Sequence, residues 1–133
     1  MSAATGAATA QPFFKQAGLP IGIQLYTLGP AAAVDLDASL KSLADIGYKT
    51  VELPGLLGKS PADIRAALDR AGLTCPSVHI QPRGRGGADP TLDGDLGKLA
   101  AALHALGAKA AVAPICFFPD RLELKPQAGE DMG

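Results

Sequence analysis

Three glycines constrain this chain most, because each ends an amphipathic helical stretch about three residues before a β-prone run. They are Gly47, Gly72 and Gly107. Glycine adopts the left-handed backbone of a helix C-terminus without steric cost, so it is a common stop after an apolar stripe. The resulting order is strand, helix, strand, helix, strand, helix, strand. Such alternation with short connections predicts right-handed βαβ crossovers and a parallel sheet.

Apolar stripes and N-terminal caps predict the three helices. The first helix starts at Asp35 or Asp37. The second has the clearest start, Ser60-Pro61-Ala62-Asp63, which combines an N-cap serine, a proline at N1 and an acid at N3. The third spans roughly Thr91 to Leu106. The expected buried stripes are Leu36, Leu40, Leu43 and Ile46; Ile64, Ala67, Leu68 and Ala71; and Leu96, Leu99, Leu103 and Leu106.

Branched and aromatic residues predict the four strands. Their expected spans are Leu19 to Thr27, Thr50 to Leu53, Thr74 to Ile80 and Ala110 to Ile115. The last is an unbroken small and apolar run, which is typical of a strand buried on both faces. In the first, Gln24 and Tyr26 alternate with apolar neighbours. These two side chains are therefore expected on one face, which in a parallel barrel is the lumen.

Length and composition indicate one folded α/β domain. The chain has 133 residues, 47% of them hydrophobic, and a mean hydropathy of +0.17, which argues against disorder. We expect a flexible Ala-rich lead over 1–18, the domain over 19–115 and an irregular tail over 116–133. The formal charge of −1 offers no broad attraction to nucleic acid or to an anionic membrane. No apolar run approaches the roughly 20 residues of a membrane span.

The two cysteines are predicted to be free thiols. Cys75 is expected near the start of one strand and Cys116 just past the end of a neighbouring parallel strand. A strand length, on the order of 15 Å, would separate them. That separation exceeds the roughly 7 Å limit between the Cα atoms of a disulfide.

The first ten residues leave two interpretations open. Ala8-Thr9-Ala10 has the A-x-A form of a signal-peptidase site, which would fit the remnant of a longer export signal. A disordered Ala-rich lead is the simpler interpretation. The expected location is therefore cytoplasmic, or periplasmic if an export signal precedes this sequence.

Glu52 is the first candidate for a functional residue. It ends the β-prone run Thr50-Val51-Glu52-Leu53 immediately before Pro54-Gly55. A carboxylate at the rim of an apolar core must be hydrated, paired or used. The carboxyl ends of strands are also where α/β folds collect their chemistry. The structural alternative is a capped or salt-bridged glutamate.

Four segments in order resemble the N-terminal half of a sugar phosphate isomerase/epimerase, in the xylose isomerase-like TIM-barrel superfamily. They are Gly22–Leu28, Ile46–Leu53, Asp69–Leu73 and Ser77–His79. The resemblance implies an α/β fold that is a partial (β/α)₈ TIM barrel, with about four βα units. Such barrels typically have about 250 residues, so the chain is expected to supply about half of one.

The resemblance also implies a chemistry and its ligands. Related enzymes move a proton at the carbon next to a carbonyl of a sugar or polyol, through an enediolate. They hold a divalent metal (Mn, Mg, Co or Zn) with Glu, Asp, His and Glu side chains from the later strands. By the resemblance, those positions are expected beyond Gly133. The resemblance therefore supports no metal ligand here and implies that this chain alone is inactive.

By the same resemblance, Glu52 and His79 are expected to point into the mouth of the barrel and to bind substrate. Glu52 would hydrogen-bond substrate hydroxyls or orient a neighbour, and His79 would line the pocket or, as in the endonuclease branch, bind zinc. Gln24 and Tyr26 are weaker candidates for the wall of that pocket. Each has a structural alternative, such as a satisfied histidine at a strand end or a tyrosine in the core. His104 lies off the leucine stripe and is expected at the surface.

Two further hypotheses stay open. Four βα units would leave two open sheet edges and an apolar lumen, which a self-associating, non-catalytic half-barrel could cover as a homo-oligomer. A DNA-repair relative similar to endonuclease IV would use His79 and the loop Arg83-Gly84-Arg85-Gly86-Gly87. The slightly acidic balance argues against nucleic acid as a partner. The loop itself suits a phosphate or a solvated connection.

Overall fold

A computed structural model describes residues 16–84 and 89–114. Most of the predicted lead and the whole of the predicted tail, including Cys116, lie outside these ranges. The strands are β1 Gly22–Gln24, β2 Thr50–Glu52, β3 Ser77–His79 and β4 Ala110–Val112. The helices are a 3-10 helix Leu25–Leu28, α1 Ala31–Val34, α2 Leu36–Ile46, α3 Pro61–Ala71 and α4 Leu96–Leu106. Strands and long helices alternate as predicted.

The strands are parallel and follow one another in chain order. β1 pairs with β2, and β3 pairs with β4. A parallel bridge between Leu53 and Val78 connects the two pairs. It is supported by the His79 N–H, which donates to the Leu53 carbonyl at 2.8 Å. The predicted α/β architecture with a parallel sheet is confirmed.

The helix starts follow the side chains that cap them. Asp35 caps α2 by accepting from the Ala38 N–H at 2.9 Å. Ser60 caps α3 by accepting from the Asp63 N–H at 3.1 Å, and its hydroxyl donates to the Asp63 carboxylate at 2.7 Å. The third long helix, α4, begins later than predicted because Asp95 is its cap. The residues from Thr91 to Gly94 form a turn instead.

The three glycines end the helices as predicted. Gly47, Gly72 and Gly107 have φ values of 116°, 68° and 74°. Each of their N–H groups donates to carbonyls of the last helical turn. This satisfies carbonyls that a helix end would otherwise leave without a partner.

One apolar core lies between the sheet and the long helices. Its fully buried side chains come from both layers: Leu25, Leu40, Val51, Leu53, Ile64, Leu68, Val78 and Leu106. Strand residues alternate around it. Val51, Leu53 and Val78 are buried in this core, whereas Glu52 and His79 are half-buried and belong to the other parity of their strands.

Two residues of the predicted stripes are exposed. Ile46 is 73% exposed and Leu96 is 60% exposed. A spacing of three residues falls about 60° short of a full turn of an α-helix. Residues at successive spacings of three therefore rotate around the helix axis and away from its buried face. Ile46 follows Leu40 by two such steps. Leu96 likewise lies off the face defined by the buried residues Leu99 and Leu106.

The prediction that β4 is buried on both faces is wrong. Ala110 and Ala111 are exposed, and Val112 is half-buried. Within 16–84 and 89–114, β4 pairs with β3 alone. An apolar run predicts that a strand tends to be buried. The elements that pack against the strand determine how much of it is buried. No helix in the same ranges is long and apolar enough to cross a membrane.

Cys75 is a free thiol, as predicted, and is buried at 2% exposure. Its Sγ lies 3.2 Å from the Ser77 carbonyl oxygen. Burial raises the pKa of the Cys75 thiol from its ordinary value near 9.0 to about 11. Backbone hydrogen bonds that Leu53 and Ser77 make to the thiolate lower this pKa, and the Glu52 charge raises it, both by less than burial does.

The stability of α2 should depend on which face of the helix is truncated. Leu40→Ala removes a fully buried side chain and should lower the free energy of unfolding by about 2–5 kcal/mol. Ile46→Ala removes an exposed side chain of the same helix and should change it by less than about 0.5 kcal/mol. Urea unfolding followed by circular dichroism measures both. Equal losses would contradict the core described above.

The raised pKa of Cys75 predicts an alkaline loss of stability. Because the folded pKa exceeds the unfolded value, the contribution is fully present below about pH 9 and is lost as the pH rises toward 11. In a Cys116→Ser background, the free energy of unfolding should fall over this window. Adding Cys75→Ala should remove that part of the fall, while the tyrosine and lysine titrations stay common to both proteins. Parallel pH profiles would contradict the prediction.

Candidate functional site

The carboxyl ends of β1, β2 and β3 bring three predicted site residues together. In the parallel register of β1 and β2, Gln24 lies directly opposite Glu52. His79 ends β3, next to β2. Because these positions have the parity opposite to the buried strand residues, their side chains lie on the sheet face away from the core. That face is polar over β1 to β3, so the expectation of an apolar lumen is wrong there.

Glu52 and His79 form the centre of this site. His79 Nε2 lies 2.9 Å from Glu52 Oε1, and their side chains are 21% and 28% exposed. On the other side of the ring, His79 Nδ1 lies 3.4 Å from Gln24 Nε2. We call the connected side chains of Gln24, Glu52, Ser77 and His79 the strand-end network.

Ser77 belongs to this network although the sequence did not single it out. Its hydroxyl donates to Glu52 Oε2 at 2.5 Å. The alternation of side chains along a strand could have identified it. Ser77 precedes His79 by two residues in the same strand, so the two side chains lie on the same face. Both oxygens of the Glu52 carboxylate therefore have partners. This arrangement reduces the cost of holding a carboxylate at the rim of the core.

Tyr26 was predicted to lie on the first strand, but it lies outside β1. β1 ends at Gln24, and the chain enters a 3-10 helix in which Tyr26 is 77% exposed. The change occurs because the Gln24 side chain caps this helix, with its Oε1 accepting from the Tyr26 N–H. Tyr26 thus contacts the network through its backbone. Its predicted role in substrate binding stays a prediction.

A small cavity of about 50 Å³ lies beside His79. Its walls come from the segments after β2 and β3, and include Pro54, Gly55, Ile80, Gln81, Asp89 and Thr91. Asp89 holds the two segments together, because its Oδ2 accepts from the Leu56 N–H at 3.1 Å. The volume is on the order of one or two water molecules, so it suits one small polar group.

Other predicted site features lie apart from the network. His104 is exposed on α4, as expected. Arg83 and Gly84 are exposed, and residues 85–88 lie outside the described residues. Phosphate binding by this loop stays a prediction.

Glu52 and His79 do not make a metal site with the other described residues. Within 16–84 and 89–114, no three His, Cys, Asp or Glu side chains are grouped so as to hold an ion. Glu52 and His79 are two potential ligands, and they are bonded to each other. The described residues therefore do not fit a metal centre.

Comparison with solved structures identifies a protein of the same fold. The chain is similar to a sugar phosphate isomerase/epimerase from Parabacteroides distasonis, with a TM-score of 0.52 and 23% sequence identity. The fold is that of a partial TIM barrel. The similarity covers 73% of this chain and 39% of that protein, so the chain spans well under half of its length. No protein-family model and no curated protein matches the chain.

The hydrogen bond between Glu52 and His79 should contribute measurably to stability. In a double-mutant cycle of Glu52→Ala and His79→Ala, we expect a coupling energy of about 0.5–1.5 kcal/mol, since the bond is half-buried. The exposed pair Lys41 and Asp45, at 2.7 Å on α2, is the control. Its cycle should give no more than about 0.5 kcal/mol. Urea unfolding measures both, and a larger coupling in the control pair would contradict the interpretation.

Proposed function

We propose that this chain binds a sugar or polyol at the carboxyl ends of its strands, as part of a sugar isomerase or epimerase. The observation that carries the proposal is the hydrogen-bonded pair of Glu52 and His79. It lies on the polar sheet face, at the end of the strands where barrels of this class place their active sites. The fold shared with a sugar phosphate isomerase/epimerase supports the same assignment.

The chemistry of the strand-end network suits hydroxyl groups. Glu52 offers carboxylate oxygens, Gln24 offers an amide, and His79 offers an imidazole that accepts or donates according to its tautomer. These groups are half-buried, so a ligand can reach them while water is partly excluded. The cavity beside His79 has room for a single hydroxyl or hydroxymethyl group of the ligand.

The reaction proposed for the whole site is proton transfer at the carbon next to a carbonyl. It requires a base near the C–H bond and a group that stabilises the oxyanion of the enediolate. We assign Glu52, His79 and Gln24 to holding the substrate hydroxyls. The acid, the base and any divalent metal are not assigned to described residues of this chain.

The polar face bears on the competing hypotheses. A half-barrel that pairs with a second copy through an apolar lumen would have to bury the strand-end network, and two of its members are ionisable. The sugar-binding proposal uses the same groups without that cost. A homo-oligomer through other surfaces stays a prediction.

The proposal predicts weak but site-specific sugar binding. Saturation-transfer NMR and calorimetry with a panel of ketoses, aldoses and their phosphates should detect a ligand of the full chain. His79→Gln should weaken its binding about 3- to 10-fold, because one hydrogen bond to the ligand is lost. His104→Gln, the same change at the exposed histidine of α4, should leave affinity unchanged. No binding by any sugar, or equal effects of the two substitutions, would overturn the proposal.

A further inference from the structure

We infer that Gln24 is a positioning residue, which sets the tautomer of His79 so that Nε2 carries the proton and Nδ1 presents a lone pair. The inference follows from the direction of hydrogen bonds along the strand-end network. It begins at a group whose role is fixed by its chemistry. That group is the backbone N–H of Tyr26, which can only donate.

The Tyr26 N–H determines the orientation of the Gln24 amide. Its acceptor is Gln24 Oε1, which caps the 3-10 helix. The opposite orientation of the amide would place an NH₂ group against an N–H, so two donors would face each other. Gln24 Nε2 is therefore the atom that faces the next member of the network, His79 Nδ1, at 3.4 Å.

The Gln24 amide then determines the proton of His79. An NH₂ group is a donor without an acceptor lone pair, so the ring nitrogen that it faces must be the unprotonated one. The proton of a neutral imidazole is thereby placed on Nε2. This nitrogen lies 2.9 Å from Glu52 Oε1, an acceptor.

The far end of the network agrees with this direction. Glu52 Oε1 accepts from His79, and Oε2 accepts from the Ser77 hydroxyl at 2.5 Å. An ionised carboxylate accepts at both oxygens and donates at neither. Every group from Tyr26 to Ser77 thus has a compatible partner, whereas the Nδ1–H tautomer would create a clash of donors at Gln24 and a clash of acceptors at Glu52.

The functional consequence rests on the proposed sugar-binding function. The two contacts of the ring differ in length, 2.9 Å at Nε2 and 3.4 Å at Nδ1. The longer contact is the weaker one. An incoming ligand group can therefore replace Gln24 as the hydrogen-bond partner of Nδ1. Its lone pair accepts a hydrogen bond, and the class of ligand group that fits is therefore a donor such as a substrate hydroxyl.

The tautomer can be read directly from the free chain. In the ¹⁵N-labelled variant His104→Gln, His79 is the single remaining histidine. A long-range ¹H–¹⁵N correlation spectrum at about pH 8, above the range in which histidines ordinarily titrate, separates the two ring nitrogens. We expect Nδ1 at the downfield position of an unprotonated nitrogen and Nε2 at the upfield position of a protonated one. The reverse pattern, or rapid averaging of the two, would overturn the inference.

A substitution at Gln24 tests its part in the assignment. Gln24→Glu keeps an acceptor for the Tyr26 N–H and places a second acceptor at Nδ1, so the ring should gain a doubly protonated population. Its Nδ1 signal should move upfield. Gln81→Glu is the matched control, because Gln81 lines the cavity beside His79 and the change adds the same charge without the contact to Nδ1. Equal shifts in the two variants would assign the effect to general electrostatics and overturn the role of Gln24.

The experiment separates this inference from the proposed function. The spectra are recorded without sugar, so failure to bind any sugar leaves the tautomer assignment untouched. A wrong tautomer would likewise leave the binding measurements as they are. If the Gln24→Glu protein does not fold, the spectrum of the His104→Gln chain still decides where the proton lies.

Discussion

The packing of Val51, Leu53 and Val78 against the long helices determines the rest of the structure. These residues have one parity of their strands, and their burial leaves the other parity on the opposite face of the sheet. A register shift of one residue would exchange the two faces, so the apolar core and the polar strand-end network are not independent features. The same burial places Glu52 and His79 together at the ends of β2 and β3.

The polar site is also stabilised by the backbone around it. The N–H of His79 donates to the Leu53 carbonyl across the bridge between the two strand pairs. The Gln24 side chain ends β1 by capping the 3-10 helix, and Asp89 connects the segments that follow β2 and β3. Each candidate site residue thus lies on a strand or beside a turn that its own hydrogen bonds stabilise. Strands and capped turns are more rigid supports for a binding site than long loops are.

The predictions that rest on local chemistry were confirmed most closely. Ser60 and Asp63 form the expected start of α3, and Gly72 ends it, because a capping box and a left-handed glycine act within one turn of chain. Predictions that extended an apolar stripe along a helix failed at the ends of the stripe. Ile46 and Leu96 are exposed since a stripe built from steps of three rotates out of the core. Tyr26 lies outside the predicted strand because the Gln24 side chain accepts a hydrogen bond from the Tyr26 N–H and so caps a 3-10 helix.

The amino-acid sequence determined the order of the elements, the parallel sheet and the parity that sets Glu52 and His79 apart from the core, because these depend on periodicity and capping within short stretches. Only the tertiary structure decided that Gln24, Glu52, Ser77 and His79 contact one another. Gln24 and His79 are 55 residues apart in the chain, and Ser77 and Glu52 are 25 apart. Such contacts depend on strand register and on rotamers in the folded state, and no local pattern encodes either.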